Sequence, residues 1–281
     1  KGEIDIMDVS DFNPTAVQAL EDAKVQLKTA GLVAVQYMGI NHKMPEFQDK
    51  RVRQALAHAI NRQSIVDDLL YGRGNVADNP LPKTIWAYPG DEFIKHYNYD
   101  SAKAIELFKE AGYTYENNVM SKDGKLVKWT LKYPVGNKVR EKAAELIQQN
   151  LKDIGIEVEL RMMEFQTLSE AASSGDFEMF LMGMGTSFDA DQLYIWGPGS
   201  TFNYSGWSSQ KSLDLLNQGV SVVDIEERKP IYKEWAMYMN DEMPWIWLYN
   251  WDGGIAVTED LQNVQFYAGG SYYNIVNWEF K

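Results

Sequence analysis

Leu126-Val-Lys-Trp-Thr-Leu-Lys-Tyr133, then Asn137 to Ile154, then Ile156-Glu-Val-Glu-Leu-Arg-Met162 form the passage from which the fold can be read. The outer two segments predict strands, and the middle one predicts a helix whose apolar positions are Val139, Ala143, Leu146, Ile147, Leu151 and Ile154. Strand, helix and strand in this order predict a parallel pair joined by a right-handed crossover. Downstream, Phe165 to Ala172 predicts another helix and Phe177 to Met184 a strongly apolar strand. Upstream, Asp100 and Ser101 can cap a helix that buries Ala104, Leu107, Phe108 and Ala111 and stops at Gly112, and Asn118 to Gly124 has turn chemistry. The fold class is α/β.

Further out, Phe47, Val52, Leu56, Ala59 and Ile60 make one helical stripe, and Ile65, Val66, Leu69 and Leu70 make another. Gly72 and Gly74 end that block. A loop through Pro80, Pro82 and Pro89 follows, too long for a simple turn and expected to wrap the surface or close over something. Near the N-terminus the pattern predicts a short strand over Gly2 to Val9, a helix over Thr15 to Lys28 and a strand over Leu32 to Ile40. Thr186 to Trp207 is loop-like and dense in polar and aromatic residues. Helices over Gln210 to Gly219 and Asp224 to Asn240, a strand over Pro244 to Tyr249, and an irregular or β tail complete the chain.

Composition narrows the function. The 281 residues carry 27 Lys and Arg against 40 Asp and Glu, a formal net charge of -13, which repels nucleic-acid phosphates and anionic membranes. Nucleic acid is therefore not an expected partner. There is no Cys, which removes disulfides, thiolate catalysis and Cys-ligated metal. No apolar run is long enough for a transmembrane segment. The 9 Trp, 16 Tyr and 11 Phe fit either a packed core or an aromatic ligand lining, since Tyr and Trp offer a broad apolar face with one polar atom.

Recognisable catalytic chemistry is missing: no phosphate loop, no dinucleotide fingerprint, no nucleophile elbow. His42, His58 and His96 are scattered, and no metal or cofactor is expected. Asp189 and Asp191 are the best acidic pair. Two carboxylates so spaced in a loop can bind a cation, share a proton, cap turns or touch a ligand, and capping or loop folding is the favoured reading. An enzyme is not expected.

Pro45-Glu-Phe-Gln-Asp-Lys-Arg-Val-Arg-Gln-Ala-Leu-Ala-His-Ala-Ile-Asn-Arg-Gln-Ser-Ile-Val, followed by Leu70-Tyr-Gly-Arg-Gly, closely resembles the signature helix pair of the oligopeptide- and dipeptide-binding proteins of ABC importers. Leu81-Pro82, Tyr99-Asp100-Ser-Ala-Lys103-Ala104, Ala111-Gly112, Ala144 to Val158, the stretch 176 to 191, Glu227-Arg228 and Pro244-Trp-Ile-Trp-Leu-Tyr continue the likeness in order. It covers almost the whole chain and corresponds to the C-terminal portion of that family. The resemblance implies a periplasmic-binding-protein-like clamshell of the large peptide-binding class, with one nearly complete lobe and fragments of the other present. Residues 1–37 would be an end segment of the first lobe with a hinge strand, 38–248 the second lobe, and 249–281 the return across the hinge. The same two strands, Leu32 to Ile40 and Pro244 to Asn250, also suit one continuous sheet.

The function so implied is extracellular capture of oligopeptides for a membrane permease, on the outer face of the cell membrane as a lipoprotein or in the periplasm. Capture of another solute, an oligosaccharide or metal complex, and a sensing or interaction module are the alternatives. In the family an Asp after a Gly-Trp strand end pairs with the peptide amine; here Gly183-Met184 replaces Gly-Trp, and Thr186 or Ser187 stands where that Asp would fall. Met184, Gly185, Thr186 and Ser187 are expected to border the cleft, with Asp189 the leading electrostatic contact. Asn203, Tyr204 and Trp207 would add hydrogen bonds and aromatic surface, or simply pack the loop.

Overall fold

The computed structural model describes residues 4–9, 19–20, 25–270 and 272–281. Its strands are β1 (Ile6–Asp8), β2 (Val25–Gly31), β3 (Ala34–Ile40), β4 (Gly74–Val76), β5 (Thr114–Glu116), β6 (Val119–Lys122) and β7 (Lys125–Leu126). Beyond these come β8 (Lys128–Pro134), β9 (Glu157–Met163), β10 (Met179–Gly185) and β11 (Ile246–Thr258). The principal helices are α1 (Lys50–Ala59), α2 (Ser101–Glu110), α3 (Lys138–Asp153), α4 (Phe165–Ser174), α5 (Leu193–Trp196), α6 (Gln210–Ser221) and α7 (Ile225–Glu242). One sheet runs in the order β1-β11-β3-β10-β8-β9, with β2 and β4 also pairing β11.

The strand-helix-strand passage folds as its pattern predicts. Asn137 caps α3 by accepting the Arg140 N–H at 3.0 Å, and β8 and β9 lie parallel from Lys128 opposite Glu157 to Pro134 opposite Met163. β10 joins β8 in parallel and β3 antiparallel, so it sits in the middle of the sheet with β8 on one side and β3 on the other. The turns at Asn117-Asn118 and Asp123-Gly124 have positive φ at both central residues, the geometry that closes two-residue hairpins with the right twist. They fold β5, β6 and β7 into a small meander.

β11 joins two parts of the core. Its first residues pair β3, with Ile246 opposite Met38 and Trp247 opposite Tyr37, and then a bulge sets Tyr249 opposite Gln36. Its later residues pair β2 from Asp252 to Thr258 and β1 from Ile255 to Val257. The large cluster of buried apolar side chains runs from Val33 to Tyr249, while a small one gathers Ile255, Val257, Leu261, Val264 and Phe266. Most of the aromatic wealth belongs to the large cluster. Trp245 stacks on Tyr37 with ring centroids 3.8 Å apart, and Trp196 lies 4.6 Å from Trp245.

Two expectations from the sequence need correction. Val25 to Lys28, expected to be helical, are strand; the open edge of β11 supplies main-chain partners from Val25 through Gly31, and that pairing overrides the local apolar spacing. Of the remainder of that helix, residues 15–18 and 21–24 lie outside the described residues. The first half of the proline-rich loop does not wrap the surface: Ala77, Asp78, Asn79, Pro80, Leu81 and Pro82 are all buried, and only at Lys83 and Thr84 does the loop become exposed. Burial is feasible because prolines carry no N–H and the carbonyls find partners. Asn240 donates to Asp78 O at 2.8 Å, Gln192 to Pro80 O at 3.4 Å, and Arg62 to Ala77 O at 2.6 Å.

Arg62 is the centre of that arrangement. Its side chain is 3% exposed, and it forms a 2.9 Å ion pair with Asp78, itself 7% exposed. The guanidinium also donates to Trp247 O at 3.0 Å and to Tyr97 O, so one side chain holds the loop, β11 and the segment before α2 together. Asp78 accepts a second bond, from His96 Nδ1 at 2.8 Å. Arg62→Ala is expected to cost about 3–5 kcal/mol, because it leaves a buried carboxylate and several buried carbonyls without their charged partner. Urea unfolding measures this, and a loss below about 1 kcal/mol would contradict it.

Candidate ligand-binding edge

In sheets with parallel strands the carboxyl ends are where ligands are held, because main-chain groups there leave the ladder unpaired and the following loops diverge. Here that edge comprises the end of β8, the N-terminus of α3 and the end of β10. Next to it run the two strands, β3 and β11, that continue into the small cluster. Gln36 on β3 accepts a 2.8 Å bond from Arg140 Nε on α3. Both side chains fill the space a side chain at 183 would need: a Cβ there would meet Gln36 Nε2 at 2.4 Å and Arg140 Nη2 at 2.8 Å. Gly183 is therefore glycine for close packing. At Gly185 a Cβ would meet nothing within 4 Å, and the residue is exposed. The strand end leaves open space beside its main chain.

The loop leaving β10 is held at several points. Thr186 N–H donates to Val33 O at 2.9 Å, and Asp189 N–H donates to Ser187 Oγ at 3.1 Å. Trp86 Nε1 donates to Phe188 O at 3.0 Å. Asp189 makes a forked ion pair with Arg228 near the start of α7, at 2.9 Å and 2.6 Å. Asp191 Oδ1 accepts the Leu193 N–H at 2.8 Å at the start of α5. Ala190 sits buried with a φ of 70°, a left-handed conformation sustained by these neighbours.

Beyond Asp191 the chain doubles back along one face of the sheet. Tyr194 donates its hydroxyl to Gly185 O at 2.8 Å, so α5 begins at the open strand end. By Tyr204 the chain has reached the other end of β10, where the Tyr204 ring meets Phe180 edge-on at 6.1 Å and Ser205 O accepts the His42 N–H at 3.0 Å. Phe180 and Gly185 are five strand residues apart, about 17 Å. The eight expected site residues thus divide. Met184, Gly185, Thr186, Ser187 and Asp189 share the carboxyl edge. Asn203, Tyr204 and Trp207 lie away from it: Asn203 Nδ2 donates to Trp207 O at 2.6 Å, and Trp207 is a core residue packed 5.5 Å from Trp196.

Three exposed aromatic residues near the edge stand out against that rearrangement. Phe188, Tyr194 and Phe202 are 55%, 37% and 42% exposed, and Tyr194 meets Phe202 edge-on at 6.1 Å. Phe188 also lies within van der Waals reach of Gly269 in the tail. Sequence reading passed over them because a dense aromatic loop does not say which rings turn inward. Among the described residues no group of three His, Asp or Glu converges to hold a metal ion. Each histidine bonds elsewhere: His42 to Pro244 O, His58 to Asn98 O, His96 to Asp78.

Residues 1–206 match the family described as bacterial extracellular solute-binding proteins, family 5 Middle. The chain belongs to family 5 of the extracellular solute-binding proteins. The oligopeptide-binding protein AppA of Bacillus subtilis (strain 168) is 31% identical over 284 residues, 99% of this chain and 52% of the relative. Haem-binding protein A of Haemophilus influenzae is 31% identical over 233 residues, 80% of this chain and 41% of the relative. The solved structure of B. subtilis AppA in complex with a nonapeptide superimposes with a TM-score of 0.85 at 31% identity, covering 100% of this chain and 56% of that one. The chain thus spans about half the length of the relatives it matches. Among the described residues no helix of this family 5 member is long and apolar enough to cross a membrane.

Asp189 carries a pH signature. The Arg228 guanidinium holds its carboxyl below the ordinary value of 3.8, outweighing the small opposing effect of burial. Stabilisation by the ion pair is therefore complete above pH 3.8 and fades as the pH falls from there through the lower folded value. Thermal melts of the wild type and Asp189→Asn should differ most at neutral pH, and the gap should close on acidification. A gap that widened with falling pH would contradict this.

Proposed function

We propose that this chain is about half of a two-lobed capture protein that binds peptides outside the cell and hands them to an ABC permease. The observation that supports it best is the empty space beside Gly185, an exposed residue without a side chain at the carboxyl edge of the sheet, next to β3 and β11. Main-chain groups at such an edge bond an extended ligand without regard to its side chains, which suits a carrier of many peptides. In this reading residues 38–248 form one lobe, and 1–37 with 249–281 belong to a second that the rest of the protein completes. Closure around a ligand would come from contacts made by both lobes. The arrangement needs no acid-base pair, and we propose binding without catalysis, in the periplasm or at the outer membrane face.

Within this scheme Met184, Gly185, Thr186 and Ser187 border the ligand, with Phe188, Tyr194 and Phe202 offering apolar surface. Asn203, Tyr204 and Trp207 support the lobe from its other end. A second reading, capture of a metal complex, draws on the haem-binding relative and on those exposed rings, which would suit a flat ligand. Mass spectrometry of solutes retained by the full-length protein after native purification decides between them: peptides support the first reading, and a porphyrin or other metal chelate the second. Gly185→Trp in the full-length protein is expected to fill the open position and weaken peptide binding by about tenfold or more. The melting temperature should stay unchanged, and undiminished affinity in calorimetry would refute the placement of the site.

A further inference from the structure

The carboxylate that the sequence offers most openly to a ligand is already committed within the chain. Asp189 is 56% exposed by its side chain, yet Arg228 takes both of its oxygens, Nη1 to Oδ2 at 2.9 Å and Nη2 to Oδ1 at 2.6 Å. Nη2 reaches the Asp189 carbonyl as well, at 3.3 Å. Arg228 is itself fixed from every side. Its Nε donates to Gly219 O at 2.9 Å, and its guanidinium lies 5.2 Å from the Trp86 ring centre and 5.3 Å from that of Tyr232. A planar cation held by a forked carboxylate, a carbonyl and two aromatic rings has little freedom to release its partner. Trp86 closes the circuit by donating to Phe188 O in the same loop. The neighbouring Asp191 accepts the Leu193 N–H where α5 begins.

We propose that Asp189 is a latch and Arg228 the positioning residue of the ligand-facing loop. The edge then takes its ligand through main-chain groups and apolar surface, and not through an ammonium paired with Asp189. The chemical class admitted here is accordingly an extended chain whose amine can be free or blocked without consequence at this loop. The inference rests on the peptide-capture reading.

The test uses the full-length protein and two probes, a synthetic heptapeptide of alanine and phenylalanine and the same peptide N-acetylated, titrated by calorimetry. Asp189→Asn and Arg228→Lys are each expected to weaken both probes by a similar factor, about tenfold, since the loop loses its anchor. The ratio of the two affinities should stay within about twofold of the wild-type ratio. Trp86→Phe keeps the ion pair and an aromatic ring beside Arg228 but removes the bond to Phe188 and shrinks that ring, so it is expected to weaken both probes together by a smaller factor. It also serves as the readout should the charge variants fail to fold. If Asp189→Asn weakens the free peptide alone, Asp189 is the amine's partner and the proposal is overturned. Unchanged affinity for both probes in all three variants overturns it as well. Wild-type protein that binds neither probe fails the peptide-capture reading and the inference with it, an outcome distinct from altered selectivity.

Discussion

A positive charge buried beneath a loop of prolines constrains the rest of this structure. In the interior the Arg62 guanidinium is met by Asp78 and by the carbonyls of Ala77, Tyr97 and Trp247, which offset the cost of taking it out of water. Those partners come from segments far apart in sequence, and satisfying one cation brings them to a single point. The loop is buried as a result, β11 is fixed against the helical layer, and the direction in which β11 leaves the large cluster follows from that.

The carboxyl edge of the sheet repeats this device at the surface. Arg62 organises the interior, and Arg228 does the same for the loop after β10, joining a carboxylate and carbonyls as Arg62 does and adding aromatic surface. Guanidinium suits both positions because its planar donors serve several acceptors at fixed angles. Between the two lies the buried proline loop, whose Pro80 carbonyl receives Gln192 from the segment just past Asp191. The carboxyl edge is thus mounted on polar links that reach from its loop back to the core.

The sequence made regular structure legible wherever local signals agreed with tertiary packing. Asn137 before an apolar stripe, Asp100 before another and Gly112 after it all mark helix ends that the structure contains. Local pattern was misleading at Val25 to Lys28, where a distant edge strand decides the backbone, and in the proline loop, whose burial depends on partners as remote as Asn240. The site was legible in part. Met184 to Ser187 fall at a strand end, where the family resemblance puts them. The chemistry of Asp189 depends on Arg228, thirty-nine residues away, and the inward turn of Trp207 on Trp196, so neither could be read from composition. The shared Glu227-Arg228 landmark was visible, but nothing local tied it to the loop.

β11 has thirteen residues and a single bulge, and both clusters depend on that count. Ile246 to Tyr249 all lie in the large cluster, the extra residue Leu248 among them, while Ile255 and Val257 lie in the small one. Because side chains in a strand alternate, inserting or deleting one residue between Leu248 and Ile255 would turn Ile255 and Val257 out of the small cluster unless a second bulge compensated. The strand therefore acts as a ruler in the protein's history. Its side chains can drift one at a time, whereas its length can change only by steps that preserve parity, and variation in size is pushed into the loops.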